Sequence, residues 1–191
     1  MIFLIIIMLS LFLLDYFKRP IDNLYFQNPI RPFLGIRNSF IEIFFKKNKY
    51  IFPELYIFKK NIIHIKKDFE KNFLKSEKIY DDWFPDNKNY YTYKIDNFPY
   101  IHNMVKSVPR VKNAFIAVMD CAMTIPPHRA ESNLYLRYHL TLEGTSTLET
   151  LDGTYEHSEG EHFIFDPGDW HAVDKKTNER RVVLMMDISR F

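Results

Sequence analysis

His128-Arg-Ala-Glu-Ser-Asn-Leu-Tyr-Leu-Arg-Tyr-His-Leu-Thr-Leu142 is the stretch that decides the fold. From Leu134 on, Leu136, Tyr138, Leu140 and Leu142 alternate with Tyr135, Arg137, His139 and Thr141, the period of two expected of a β-strand with unlike faces. Arg137 and His139 therefore share a face. Downstream, His171 follows a Pro167-Gly168 turn, and Arg181 opens a second alternating run, Arg181-Val-Val-Leu-Met-Met-Asp187. Strand closure that brought these segments together would set two histidines beside two cationic side chains, a metal site next to an anion site.

Outward from this stretch the β character continues. Phe115, Ala117 and Met119 alternate with Ile116 and Val118, Asp152-Gly153 marks a hairpin turn, and His162 to Phe165 forms a short strand before Pro167. The expectation is an antiparallel sandwich or barrel over residues 111–191, preceded by a helical lead-in over 53–110. In that lead-in Leu55, Phe58, Ile62, Ile65, Phe69 and Phe73 recur at spacings of three and four, predicting one amphipathic helix that starts at Pro53. His64 lies beside its apolar stripe and reads as a packed helix residue. Tyr80 to Phe98 reads as irregular, anchored by Trp83 and Phe84, and Tyr100 to Lys106 as a short helix.

The N-terminus is different. Met1 to Leu14 carries no charge, and the apolar run continues past Asp15 to Phe17 before Lys18-Arg19-Pro20. As a helix it would rise about 25 Å, slightly short of a ~30 Å hydrocarbon core. A signal peptide is disfavoured, because a basic leader and a small-residue cleavage site are both missing. A buried helix would need a core on every side. Residues 1–19 are therefore expected to be a membrane anchor, with Lys18-Arg19 favouring a cytosolic domain. Residues 20–52, carrying Pro20, Pro29 and Pro32, are expected to form an extended tether and connecting segment. A net charge of +2, spread among nearly as many acids as bases, excludes a polycationic nucleic-acid surface, and the single Cys121 excludes an intrachain disulfide.

Spacing alone does not decide whether His128 and His171 are metal ligands or ordinary loop residues. His128-Arg129-Ala130 lacks the carboxylate of the common His-x-Asp/Glu iron motif, Glu131 is poorly placed to supply it, and His157 is set aside as a loop residue. Taken together, Val108-Pro-Arg-Val-Lys-Asn-Ala-Phe115, Ile125-Pro-Pro-His128, Leu136-Arg-Tyr-His-Leu140, Phe163-Ile-Phe-Asp166 with His171, and Arg181 to Asp187 resemble the aspartyl/asparaginyl β-hydroxylases, a family of Fe(II)- and 2-oxoglutarate-dependent dioxygenases. The resemblance runs from Met104 to the end of the sequence. It implies a double-stranded β-helix in which His128 and His171 bind iron, with water where related enzymes place a carboxylate. Arg181 would hold the distal carboxylate of 2-oxoglutarate, Arg137 and His139 would support its other end, and O2 would be the second co-substrate. One departure stands out: Ala117 occupies the place of a serine that helps bind the co-substrate in the family's aspartyl hydroxylases. A short apolar span ahead of a compact domain is similar to the family's lipid A acyl-chain hydroxylases, so a protein Asp/Asn side chain and a lipid acyl chain both stand as substrates. A non-catalytic cupin-like binding module is the alternative from another class.

Overall fold

The computed structural model describes residues 2–17, 30–45, 50–80 and 88–191. Two N-terminal helices, α1 (Ile2–Phe17) and α2 (Arg31–Phe45), are followed by α3 (Tyr56–Lys60) and α4 (Ile62–Asn72). Strands β1 (Ile79–Tyr80) and β2 (Tyr90–Lys94) come next, then α5 (Pro99–Lys106). The rest is β: β3 (Val111–Met119), β4 (Met123–His128), β5 (Tyr135–Glu143), β6 (Ser146–Thr150), β7 (Gly153–His157), β8 (His162–Phe165), β9 (His171–Lys175) and β10 (Arg181–Ser189). One sheet runs β1-β2-β3-β10-β5-β8 and the other β4-β9-β6-β7, with every pairing antiparallel. From β3 onward the chain crosses between the sheets so that sequence neighbours interleave, the winding of a jelly roll or double-stranded β-helix.

The alternation read in the sequence sorts side chains between two cores. On β5, Tyr138, Leu140 and Leu142 join Leu184 and Met186 of β10 and Ile116 and Val118 of β3 on the outer face of the large sheet, where Leu55, Phe58, Ile65, Phe69 and Ile101 of the helical layer cover them. The inner face carries Ala117, Met119, Val183 and Met185, packed with Ile125, Leu148 and Val173 of the small sheet. The central strands β3, β5 and β10 are thus buried on both faces. Phe58 is fully buried in the outer core, and truncating such a phenylalanine to alanine costs about 3–5 kcal/mol.

Three expectations are corrected. The single helix from Pro53 is broken at Asn61: its side-chain amide donates to the Ile57 carbonyl at 2.9 Å, competing with the helical ladder, and α4 starts afresh at Ile62. The segment from Tyr80 to Phe98 contains strand β2, whose tyrosines pair with β3 from Tyr90↔Met119 to Lys94↔Phe115. The expected tether of residues 20–52 contains the fifteen-residue helix α2. Pro32 lies in its first turn, where the missing N–H has no helical partner to lose. The polar side of α2 then docks on the domain: Arg37 donates to Ser132 Oγ at 2.8 Å, Asn38 Nδ2 to the Glu131 carbonyl at 2.9 Å, and Asn133 Nδ2 to the Asn38 carbonyl at 2.9 Å.

Among the described residues no helix is long and apolar enough to cross a membrane. Helix α1 has sixteen residues, exposes most of its isoleucines and leucines, and buries only Asp15. That carboxylate forms a bidentate ion pair with Arg129 at 3.0 and 3.1 Å, both partners almost wholly buried. Met1, Lys18, Arg19, Pro20, Pro29, Trp83 and Phe84 lie outside the described residues.

Candidate metal and anion site

Strand β4 ends at His128 and β9 begins at His171, and the two residues are paired across the small sheet. Pro126 and Pro127 lack N–H groups, so the ladder lapses between Ile125 and His128 and re-forms at the histidine. The rings lie 4.2 Å apart, centroid to centroid. His128 Nδ1 lies 2.8 Å from the Pro126 carbonyl, and His171 Nδ1 lies 2.9 Å from the Asp169 carbonyl. A carbonyl can only accept, so each Nδ1 carries a proton, and in the neutral ring this leaves the lone pair on Nε2, the arrangement of metal-binding imidazoles whose second nitrogen is held by the backbone. Burial, and after it His128, push the pKa of His171 down to about 3. His171 is therefore in the neutral form a metal requires.

The loops carrying these residues are fastened to each other. The Ala130 N–H donates to the Pro167 carbonyl at 2.7 Å, the Gly168 N–H donates to Asp166 Oδ1 at 2.9 Å, and Arg190 closes a buried ion pair onto Asp166 while donating to the Asn133 carbonyl. Among the described residues no group of three or more His, Cys, Asp or Glu side chains is placed to share a metal. Glu131 is therefore not placed to complete a facial triad with the two histidines.

Arg181, at the start of β10, is fully buried. Its Nη2 donates to His157 Nε2 at 2.8 Å and its Nη1 meets Met119 Sδ at 3.3 Å, while Nε has no hydrogen-bond partner among the described residues. None of these neighbours is anionic. Burial lowers the pKa of Arg181 to about 10, which leaves it charged at neutral pH. A buried guanidinium matched only to neutral acceptors fits a site for an anion. Its position depends on Gly144, between β5 and β6: with φ at +75°, a Cβ there would sit 2.3 Å from the Arg180 carbonyl oxygen and 2.9 Å from Arg181 Cα. Arg180 itself faces the helical layer, in a bidentate pair with Glu143 and over the rings of Phe69 and Phe73.

His139 is buried on the inner face, as the alternation requires. Its Nδ1 lies 2.9 Å from His157 Nε2, which puts it in one cluster with Arg181. Phe165 packs between this cluster and the His128–His171 pair, 5.1 Å from the His139 ring and 5.2 Å from that of His171. Arg137 stays nearer the surface. It pairs with Asp187 across β10 at 2.9 Å and lies over Phe115. His157, set aside in the sequence as a loop residue, ends β7 and joins His139 to Arg181.

A cleft of about 510 Å³ opens on the histidine pair, lined by Tyr90, Thr92, Phe115, Ile125, His128 and His171, with Arg129, Glu131 and Arg137 at polar positions. The architecture is thus a jelly roll carrying a two-histidine pair and a buried arginine between its sheets. A family profile described as Aspartyl/Asparaginyl beta-hydroxylase matches residues 59–190, and the chain belongs to that family. No curated protein sequence matches significantly. Solved structures with similar folds include a sugar phosphate isomerase of the cupin superfamily from Silicibacter pomeroyi, at 10% identity and a TM-score of 0.44 over 61% of this chain and 73% of that one. A predicted oxalate decarboxylase from Thermotoga maritima matches at 12% identity and a TM-score of 0.40 over 52% of this chain and 80% of its own. The Schizosaccharomyces pombe Cnp3 cupin domain matches at 15% identity and a TM-score of 0.37, over 42% of this chain and 57% of its own length.

Proposed function

We propose that the protein is an Fe(II)- and 2-oxoglutarate-dependent hydroxylase. The observation that carries this reading is the buried, charged Arg181 without an anionic partner among the described residues, held between the same two sheets as the paired His128 and His171, whose Nδ1 atoms are bound by backbone carbonyls. His128 and His171 would hold Fe(II) through Nε2. Arg181 would bind the distal carboxylate of 2-oxoglutarate by a forked, charge-assisted pair. Arg137 and His139 would support the other end, with Phe165 keeping water from the space between. Once loaded, the metal supplies the activation of O2, so that 2-oxoglutarate, O2 and R–H become succinate, CO2 and R–OH. The chain's own residues orient the reactants and fix the charge they meet.

The mixed lining of the cleft, with Arg129, Glu131 and Arg137 among its walls, favours a polar substrate such as a protein Asp or Asn side chain over a lipid acyl chain. The setting of that substrate is membrane-proximal, with residues 1–19 on the lipid and the domain on the cytosolic side. Exposed apolar residues of α1, from Ile2 to Leu9, together with Phe40, Ile43, Phe44 and Phe45 of α2, support this placement. Their partner loop at Ala130 to Asn133 adjoins the cleft.

The test is made on the purified full chain. It is expected to bind one Fe(II) and to form succinate slowly from 2-oxoglutarate, and His128→Ala and His171→Ala should each remove both properties. Full metal binding by either variant refutes the ligand assignment. Metal binding without any succinate favours a non-catalytic cupin-like module. Mass spectrometry of membrane proteins and lipids from cells with and without active protein, searched for a gain of one oxygen, then separates the substrate classes.

A further inference from the structure

We infer that His157 is a positioning residue for the anion site, a neutral acceptor that aims Arg181 and His139 without cancelling the charge of Arg181. The inference rests on the reading of Arg181 as the 2-oxoglutarate ligand. The hydrogen bonds around His157 fix its tautomer. A guanidinium can only donate, so His157 Nε2, 2.8 Å from Arg181 Nη2, must carry a lone pair. The proton of His157 is then on Nδ1, where it donates to Ser146 Oγ at 2.9 Å. His139 Nδ1, 2.9 Å from the same His157 Nε2, must in turn carry its own proton. One lone pair thus serves two donors from two different strands. The rings of His139 and His157 stack at 5.2 Å, and Phe163 closes over both.

The side-chain type at position 157 follows from this geometry. An apolar residue would leave the inner arm of Arg181 without an acceptor and its rotamer loose. A carboxylate would hold the arm firmly but would form the ion pair that the ligand has to form. Imidazole gives the hold and leaves the charge. Burial, with the adjacent guanidinium, drives the pKa of His157 down to about 2, so it stays neutral throughout the physiological range. Ser146, directly across from His157 in the β6–β7 ladder, accepts the remaining Nδ1 proton and helps hold the ring in place.

The test is a calorimetric titration of the full-length, Mn(II)-loaded protein with 2-oxoglutarate in the absence of O2, with the thermal midpoint recorded for each variant. His157→Gln, whose amide oxygen reaches the place of Nε2, should bind within about threefold of the parent. His157→Leu should bind about tenfold or more weakly, and His157→Glu about a hundredfold or more weakly, the scale expected for lost or pre-empted charged hydrogen bonds. The signature is that His157→Glu loses the ligand without losing thermal stability, a separation that a packing role does not produce. Affinity that follows the thermal midpoint across the series, or Leu binding as well as the parent, overturns the inference. If the Leu variant does not fold, the Gln and Glu variants decide: both carry an oxygen that reaches the arm of Arg181, and a folded Glu variant that binds within about threefold of the Gln variant overturns the inference. A parent protein that binds Mn(II) yet no 2-oxoglutarate overturns the co-substrate reading itself, and this role of His157 with it.

Discussion

Arg181→Lys separates a bidentate anion site from a merely positive one. The native guanidinium has one arm on His157, one against Met119 Sδ and an Nε with no partner among the described residues, all in a fully buried position. A lysine ammonium is a point donor on a flexible stem and cannot hold His157 and both oxygens of a carboxylate in one plane. One charged hydrogen bond is lost, worth about 1.5–3 kcal/mol. At about 1.4 kcal/mol per decade this raises the 2-oxoglutarate requirement roughly ten- to a hundredfold. Iron binding should be nearly unchanged, because His128 and His171 are oriented by the Pro126 and Asp169 carbonyls and not by Arg181. Steady-state KM for 2-oxoglutarate and a parallel metal titration read the two effects. Arg180→Lys is the matched control. Its guanidinium pairs with Glu143 on the helical side of the sheet, a half-exposed contact worth about 0–1 kcal/mol of stability. Equal KM effects from the two substitutions, or an effect confined to Arg180, would refute the register of β10 and the anion site built on it.

Gly144→Ala should lower stability by at least about 1–2 kcal/mol, the cost of a left-handed backbone for an L-residue. The added Cβ presses on the Arg180–Arg181 backbone, so 2-oxoglutarate affinity should fall as well; unfolding titrations and ligand binding check the pair of effects. Asp15→Asn removes the carboxylate charge from the buried pair with Arg129, and breaking such a pair typically costs about 3–5 kcal/mol. Because undocking of α1 and α2 limits that cost, hydrogen exchange should show these two helices opening while the β core stays protected. The pKa values of His139 and His157 are held below the ordinary histidine value, in both cases chiefly by burial. Stability is then fully present above about pH 6.5 and is lost as pH falls below it, because only the unfolded chain takes up the protons, at about 1 kcal/mol per pH unit for each imidazole. Denaturant titrations between pH 7 and 5 should show this slope, and His157→Gln should reduce it.

What could be read in advance was whatever depends on neighbours within a few residues. The alternation of β5 assigned Tyr138, Leu140 and Leu142 to one face and Arg137 and His139 to the other, and both cores follow that division. The short strand from His162 to Phe165 was legible for the same reason, and the hairpin read at Asp152-Gly153 turns one residue earlier, at Leu151-Asp152, with Gly153 opening β7. Helix α2 was not. Pro32 and Gly35 argue locally for extended chain, and they are overruled by hydrogen bonds to Ser132, Glu131 and Asn133, more than ninety residues away. Strand β2 was missed in the same way, since a tyrosine run among asparagines and aspartates becomes a strand only once β3 lies beside it.

The site divides along the same line. His128, His171 and Arg181 each sit at a strand terminus next to a turn or loop, so their positions left a local mark in prolines, glycines and alternation. His157 left little: it shares a strand face with Tyr155, and the residues that give it meaning lie across the ladder at Ser146 and on β5 and β10. The physical reason is that hydrogen-bond polarity belongs to the assembled cluster. An arginine that can only donate sets the lone pair of His157, which sets the proton of His139, and Ser146 accepts what remains. Each choice is forced by its neighbour, so a buried cation and two buried imidazoles can stand together without an acid. The positive charge left over belongs to Arg181.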